Sequence, residues 1–230
     1  MKITGIIQAR MGSSRFPSKM SADLFGFPII DWVIRRSKQS KYITNFFLAT
    51  SFNKENKFLQ QRAKNLDILF YQGSENDVLS RFSEIAKEEN SQIIVRICGD
   101  NPLICPQQID RIVELFIKKN PDYAFNHIPA LNNNYVDGIG AEVFSIKTLD
   151  KILSHSLYKE QKEHVTKYIW DNPDQFEILT LNADKFFRYP NIRLDVDTLQ
   201  DLNDLKKLIK SKVDIKNKLP ENLLVSQVLN

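Results

Sequence analysis

One ten-residue stretch concentrates groups that bind phosphate. Arg10-Met11-Gly12-Ser13-Ser14-Arg15-Phe16-Pro17-Ser18-Lys19 follows directly on an apolar run at 3–9 that ends in Ala9. Three cations, Arg10, Arg15 and Lys19, therefore meet in one loop at the end of a strand. Gly12 permits backbone angles closed to other residues. Ser13 and Ser14 leave their amide donors uncovered by bulky side chains. Backbone donors together with fixed positive charge are what a triphosphate requires. The loop is not a Walker A sequence, and no G-x-G-x-x-G turn is present.

Two carboxylates could complete such a site. Asp100 stands between Gly99 and Pro102, just past an apolar run at 93–97. Asp197 follows another run at 192–196. Transfer at a phosphate calls for Mg²⁺ on the phosphate oxygens, and Mg²⁺ takes one or two carboxylates while keeping several waters. Asp100 is the first candidate ligand and Asp197 the second. The competing roles are a turn-forming aspartate at 100 and a helix N-cap at 197. Asp195 is a weaker candidate, and Asp201 reads as a first-turn helix residue.

Short apolar runs alternate with amphipathic stretches in the first half. Strands are expected at 3–9, 45–51, 67–71, 93–97 and 122–126. Helices are expected at 28–39, 53–65, 76–89 and 106–119, with Pro28 in a first turn and an Asn/Asp cap opening the third. This βαβ order implies a mostly parallel sheet with helices on both faces, and ligands outside the carboxyl ends of the strands. The second half is less regular. Strands are expected at 142–146, 176–181 and 192–196, and helices at 147–157, 159–171 and 198–210. The tail after 211 is polar, then apolar near 223–228. The chain reads as a single domain, 1–230, with an inserted lobe at roughly 127–190.

Composition narrows the possibilities. A chain of 230 residues, 42% hydrophobic, can bury a core without disulfide staples. Cys98 and Cys105 read as reduced thiols, and their spacing fits no zinc site. The apolar part of the N-terminus is too short for a secretory signal, and no run approaches a membrane span. A cytoplasmic location follows as the expectation. A net charge of +4 is spread along the chain, with no nucleic-acid module and no aromatic stacking platform. An anionic small ligand suits that charge as well as a nucleic acid does.

The loop I-I-Q-A-R-M-G-S-S-R-F-P-S-K resembles the opening motif of the cytidylyltransferases of spore-coat polysaccharide biosynthesis, which are related to the enzymes that make CMP-sialic acid and CMP-Kdo. Ser18 departs from the glycine that the family often has before the lysine. The resemblance continues through Asn76-Asp77-Val78-Leu79-Ser80-Arg81 and Arg96-Ile97-Cys98-Gly99-Asp100-Asn101-Pro102-Leu103-Ile104. It goes on through Asp137-Gly138 with Glu142-Val143-Phe144, Glu163-His164-Val165-Thr166, and Arg193-Leu194-Asp195-Val196-Asp197-Thr198 with Asp201. It spans residues 1 to about 210 in order.

The resemblance implies the Rossmann-like, three-layer fold of nucleotide-diphospho-sugar transferases. It implies Mg²⁺-dependent transfer of CMP from CTP to a sugar acid, with loss of pyrophosphate. The implied nucleotide-binding residues are Ala9, Arg10, Gly12, Ser13, Ser14, Arg15, Lys19, Asn76, Asp77, Arg81, Arg96 and Gly99. Arg10 and Lys19 would hold the outer phosphates, with Asp100 as the third catalytic group. Asp77 and Arg81, four apart on a helix, either serve the nucleoside or pair with each other. Arg96 either contacts the nucleotide or braces the loop. Asp137, Glu142, His164 and Arg193 are the acceptor candidates. His164 is alternatively a packing residue, and Arg193 alternatively a partner of Asp195. A homodimer contact through 176–181 and Tyr189–Pro190 is an analogy with relatives. Rival readings are another nucleotide, a sugar-phosphate, polyol-phosphate or phosphonate acceptor, or a catalytically silent nucleotide-binding protein.

Overall fold

The computed structural model describes residues 1–215 and 218–230. The expected polar tail includes residues 216 and 217, which lie outside the described residues. In chain order the elements are β1 (Ile3–Gln8), β2 (Asp23–Leu24), β3 (Phe27–Pro28), α1 (Ile29–Ser37), β4 (Asn45–Ser51) and α2 (Lys57–Asn65). Then come β5 (Leu69–Gly73), α3 (Val78–Glu88), β6 (Ile93–Cys98), α4 (Pro106–Lys119), β7 (Tyr123–Phe125) and β8 (Glu142–Ser145). The chain ends with α5 (Ile146–Leu153), α6 (Lys159–Glu163), α7 (Lys167–Asp171), β9 (Ile178–Thr180), α8 (Leu199–Lys212) and α9 (Val225–Leu229).

Seven strands form one sheet in the order β5-β4-β1-β6-β8-β7-β9. The first four are parallel. β8 runs antiparallel to both its neighbours, and β9 is again parallel to β7. β1 is central and apolar on both faces, which is the pattern of a strand covered twice. Ile7 packs with α1, α2 and α4 residues such as Val33, Leu59 and Ile109. Ile6, its neighbour, packs on the opposite face with Phe82 of α3 and Ile152 of α5. A third cluster gathers Trp32, Tyr135, Leu194 and the C-terminal Leu205, Leu223 and Val228.

Several expectations shift, each for a local reason. Residues 67–71 become a strand only from Leu69, because Asp67 is left-handed (φ 52°) in the turn leaving α2. Residues 192–196 form no strand. Asp137 N–H donates to the Ile192 carbonyl and Leu194 N–H to the Asp137 carbonyl, and Val196 N–H then donates to the Asp100 carbonyl. The segment thus spends its donors on two loops rather than on a ladder. The helix expected over 159–171 breaks into α6 and α7 at an extended His164 (φ −109°, ψ 99°). A β2–β3 hairpin went unread. Its Phe25-Gly26 turn has φ of 53° and 85°, as a two-residue hairpin requires. Phe176, at the start of the expected dimer contact, is buried in the chain's own core.

Arg36 ties the C-terminal segment to this frame. Its Nε donates to the Ile104 carbonyl at 2.7 Å, and Nη1 donates to the carbonyls of Pro220 at 2.7 Å and Leu223 at 2.8 Å. Arg36→Met would leave three carbonyls without their donor. It is expected to lower the unfolding free energy by about 3 kcal/mol, measured by urea titration, with residues 220–229 the first to lose amide-exchange protection.

Candidate active site

The parallel strands end on one side of the sheet, and the loops there enclose an open cavity of about 290 Å³. The chain leaves β1 through Ala9, whose N–H donates to the Ala49 carbonyl. The loop that follows is folded on itself. Ser13 and Ser18 both donate their N–H to the Met11 carbonyl, and Met11 N–H donates to Asn56 Oδ1 at 3.0 Å. The amides of Arg10, Gly12, Ser14 and Arg15 have no acceptor among the described residues. The expectation for Ser13 is corrected here, because its amide is spent inside the loop. The expectation for Gly12 is corrected too. It does not need a left-handed backbone, and its Cβ position faces open space.

The loop's left-handed residue is Ser18, at φ 57° and ψ 25°. It turns the chain so that Lys19 enters the cavity with its side chain 7% exposed. Lys19 Nζ lies 3.1 Å from Asp100 Oδ2 and 3.3 Å from Asp197 Oδ1. Arg15 Nη2 reaches the same Asp197 oxygen at 3.0 Å.

Each carboxylate is delivered by backbone contacts. Gly99 lies so close to the end of β1 that a Cβ there would sit 2.8 Å from Ala9 Cβ and from the Gln8 carbonyl. Asp197 precedes α8, whose N-cap is Thr198, with Asp201 completing a capping box. Asp201 also accepts the Asp197 N–H at 3.0 Å. Asp197 is thus free of the capping duty that was its alternative role.

The two aspartates give hard oxygen donors turned on one cation, which suits Mg²⁺. Among the described residues no group of three or more His, Cys, Asp and Glu side chains forms a closed metal cage. Mg²⁺ does not need one when water and phosphate oxygens complete its shell.

Ala9, Arg10, Ser13, Ser14, Arg15, Lys19, Arg81, Asp100, His164 and Asp197 all line this one cavity. Arg81 is 4% exposed, yet its Nε has no hydrogen-bond partner among the described residues. Burial first, and then Arg10, lowers its pKa. Gly73 makes room for it, since a Cβ there would come within 2.5 Å of Arg81 Cγ. A buried guanidinium with an unpaired Nε and no close ion pair among the described residues is poised for an anion or a carbonyl.

A model of the cytidylyltransferase family matches residues 4–223. The chain belongs to the cytidylyltransferase family. It is 32% identical over 208 residues to the spore coat polysaccharide biosynthesis protein SpsF of Bacillus subtilis, covering 88% of this chain and 84% of that one. It is 32% identical over 117 residues to 3-deoxy-manno-octulosonate cytidylyltransferase of Bdellovibrio bacteriovorus, covering 51% and 47% of the two. Among solved structures, a cytidylyltransferase from Leptospira borgpetersenii superposes with a TM-score of 0.88 at 27% identity, over 99% of this chain and 92% of that one.

Other expected site residues of this cytidylyltransferase lie outside the cavity. Asn76 is exposed nearby. Asp77 caps α3 by accepting Ser80 N–H at 2.8 Å, instead of pairing with Arg81. Gly99 is buried behind the loop. Arg193 pairs mainly with Asp195, its Nε donating at 3.0 Å, and lies 3.8 Å from Asp137. Asp137 is pushed up to about 6, chiefly by burial and then by Asp195. His164 is exposed on the cavity rim and is no packing residue. Gln8, Ser51, Glu75, Val78 and Glu163 also line the cavity and were not anticipated. Gln8 carried a signal, being the polar interruption in an otherwise apolar strand end.

Glu142 and Arg96 lie beneath the cavity. Arg96 donates from Nη1 to Glu142 and from Nε to Gln8 Oε1 at 3.1 Å. Glu142 Oε1 accepts from Tyr123 Oη and Thr166 Oγ1, both at 2.6 Å. Burial alone would raise the Glu142 pKa. Arg96, His127 and the two hydroxyl donors outweigh it and hold the carboxyl down at about 2. Burial, ahead of the opposing attraction of Glu142, pushes the His127 pKa down.

Two outcomes are expected. Ser18→Gly should stabilise the cytidylyltransferase by about 1 kcal/mol and Ser18→Val should destabilise it, because only glycine adopts this backbone without a Cβ clash. Thermal and urea unfolding would read both. Glu142→Gln should cost about 3 kcal/mol at pH 7 by stranding Arg96. The folded-state pKa of Glu142 is depressed, so its contribution is full above about 4.5 and is lost as pH falls toward about 2. The deficit of the variant should shrink over that window in urea titrations.

Proposed function

We propose that this cytidylyltransferase transfers CMP from CTP to a sugar acid and releases pyrophosphate, with Mg²⁺ held by Asp100 and Asp197. The observation that carries the reading is the convergence of both carboxylates on Lys19 Nζ, beside loop amides that have no acceptor among the described residues. The outer phosphates would lie on those amides, with Lys19 and Arg10 compensating charge as pyrophosphate leaves. Mg²⁺, when bound, would offset charge on the α-phosphate oxygens. A hydroxyl oxygen of the acceptor attacks the α-phosphorus in line, a P–O bond forms there, the bond to pyrophosphate breaks, and the hydroxyl proton passes to water in the open cavity. Positioning and charge compensation supply most of the rate, with no covalent enzyme intermediate.

His164, on the cavity rim, has no side-chain partner among the described residues and would meet the acceptor. Arg10 is half-exposed, and its one ion pair among the described residues is a 4.0 Å contact to Glu163. It leaves a cation accessible on the same rim, which favours an acceptor bearing a carboxylate. The relative that acts on 3-deoxy-manno-octulosonate, as its name says, gives the same direction.

Pyrophosphate release from CTP with a panel of sugar acids and sugar phosphates tests this. Turnover with sugar acids alone is the expected result, and turnover with sugar phosphates alone would overturn the acceptor class. Asp100→Asn should keep its fold by circular dichroism and lose Mg²⁺-dependent turnover by about a hundredfold or more. Lys19→Ala should weaken CTP binding far more than CMP binding. Equal weakening of both would remove Lys19 from the outer phosphates.

A further inference from the structure

We propose that Gln8 reads the cytosine base, acting as a hydrogen-bond donor whose polarity is set from beneath by Arg96; this rests on the cytidine-nucleotide reading above. Gln8 is the last residue of β1 and lines the cavity. Its amide oxygen accepts from Arg96 Nε at 3.1 Å. A guanidinium has donors only, so the Gln8 amide cannot be turned the other way without setting donor against donor. The Gln8 NH₂ has no acceptor among the described residues, and it is the half of the amide left for a ligand. Arg96 is itself immobilised, since Glu142 binds it and is held in turn by Tyr123 and Thr166.

Position selects the base over the phosphates. The phosphate end of the cavity is defined by the loop amides and Lys19. Gln8 stands on the sheet face of Ile6, which is the face covered by α3, whose Val78 and Arg81 line the same cavity. That end pairs an apolar contact with unspent donors, as a nucleobase pocket requires.

Chemistry then selects cytosine. Its N3 and O2 are adjacent acceptors, whereas N3 of uracil carries a proton. A donor held in one orientation meets an acceptor at N3 in the first and another donor in the second. Burying two opposed donors is costly, so the arrangement rejects uracil as well as binding cytosine.

The experiment measures CTP and UTP binding by calorimetry with Mg²⁺ present, for the wild type, Gln8→Met and Gln8→Glu. Thermal unfolding of each protein checks its fold. Gln8→Met should lower CTP affinity about tenfold and leave UTP within about twofold. Gln8→Glu should keep the contact with Arg96 but turn an acceptor to the cavity, narrowing the preference for CTP over UTP about tenfold or more. The methionine variant keeps the test valid if the glutamate variant folds poorly. Equal losses for CTP and UTP would overturn the proposal, because Gln8 would then touch a part common to both. Unchanged nucleotide binding with only a raised KM for the acceptor would overturn it too. A cytidine-selective wild type whose variants keep that selectivity removes only Gln8. A wild type indifferent to the base, or selective for a purine, overturns the cytidine reading and this assignment with it.

Discussion

Three distant parts of the chain meet at the ammonium of Lys19, and the geometry of the cavity depends on that meeting. Lys19 comes from the loop after β1, Asp100 from the end of β6, and Asp197 from the segment before α8. Without the cation, two partly buried carboxylates would repel each other across the cavity floor. Without the carboxylates, a lysine 7% exposed would stand uncompensated. Each segment is brought there by uncharged means. The close approach of Gly99 to Ala9, the Val196 N–H on the Asp100 carbonyl and the capping box on Asp201 set the distances. Charge then selects among the side-chain positions these allow.

The second organising contact is the buried ion pair of Arg96 and Glu142. A buried pair returns little net stability, since desolvation offsets most of its attraction. Its value here is directional. Glu142 binds Thr166, next to the extended corner at His164 that separates α6 from α7, and Arg96 binds Gln8 in the cavity. One carboxylate of the sheet therefore orients both Thr166 and, through Arg96, Gln8. A hydrophobic substitute would fill the space and orient neither.

Much of the fold was legible in the sequence. β4 and α4 begin and end where the apolar periodicity places them, and β1 and β6 do so within a residue. These segments are long and strongly patterned, and their caps are local. The failures share a cause. Residues 192–196 alternate like a strand, but their backbone donors are claimed by loops that lie far off in sequence. The corner at His164 opens because Thr166 bonds a glutamate 24 residues away. Asp67 and Phe25 adopt left-handed angles although neither is a glycine or an asparagine.

Within the site, residue types pointed to the phosphate loop and the two aspartates, because free amides, cations and carboxylates are needed in one place for one chemistry, while Arg81 came from the family motif. Family motifs supplied Glu142 and Arg96 without saying that they lie beneath the cavity. Local sequence determined the strand-loop order and which groups the loops carry, since period and charge are properties of neighbouring residues. Only the tertiary structure decided which carboxylate faces the cavity and which caps a helix, which buried arginine keeps an Nε unpaired among the described residues, and which way the Gln8 amide turns. Those outcomes depend on donors and acceptors supplied by segments up to 178 residues apart, and a one-dimensional pattern carries no record of which distant group arrives first at a given hydrogen bond.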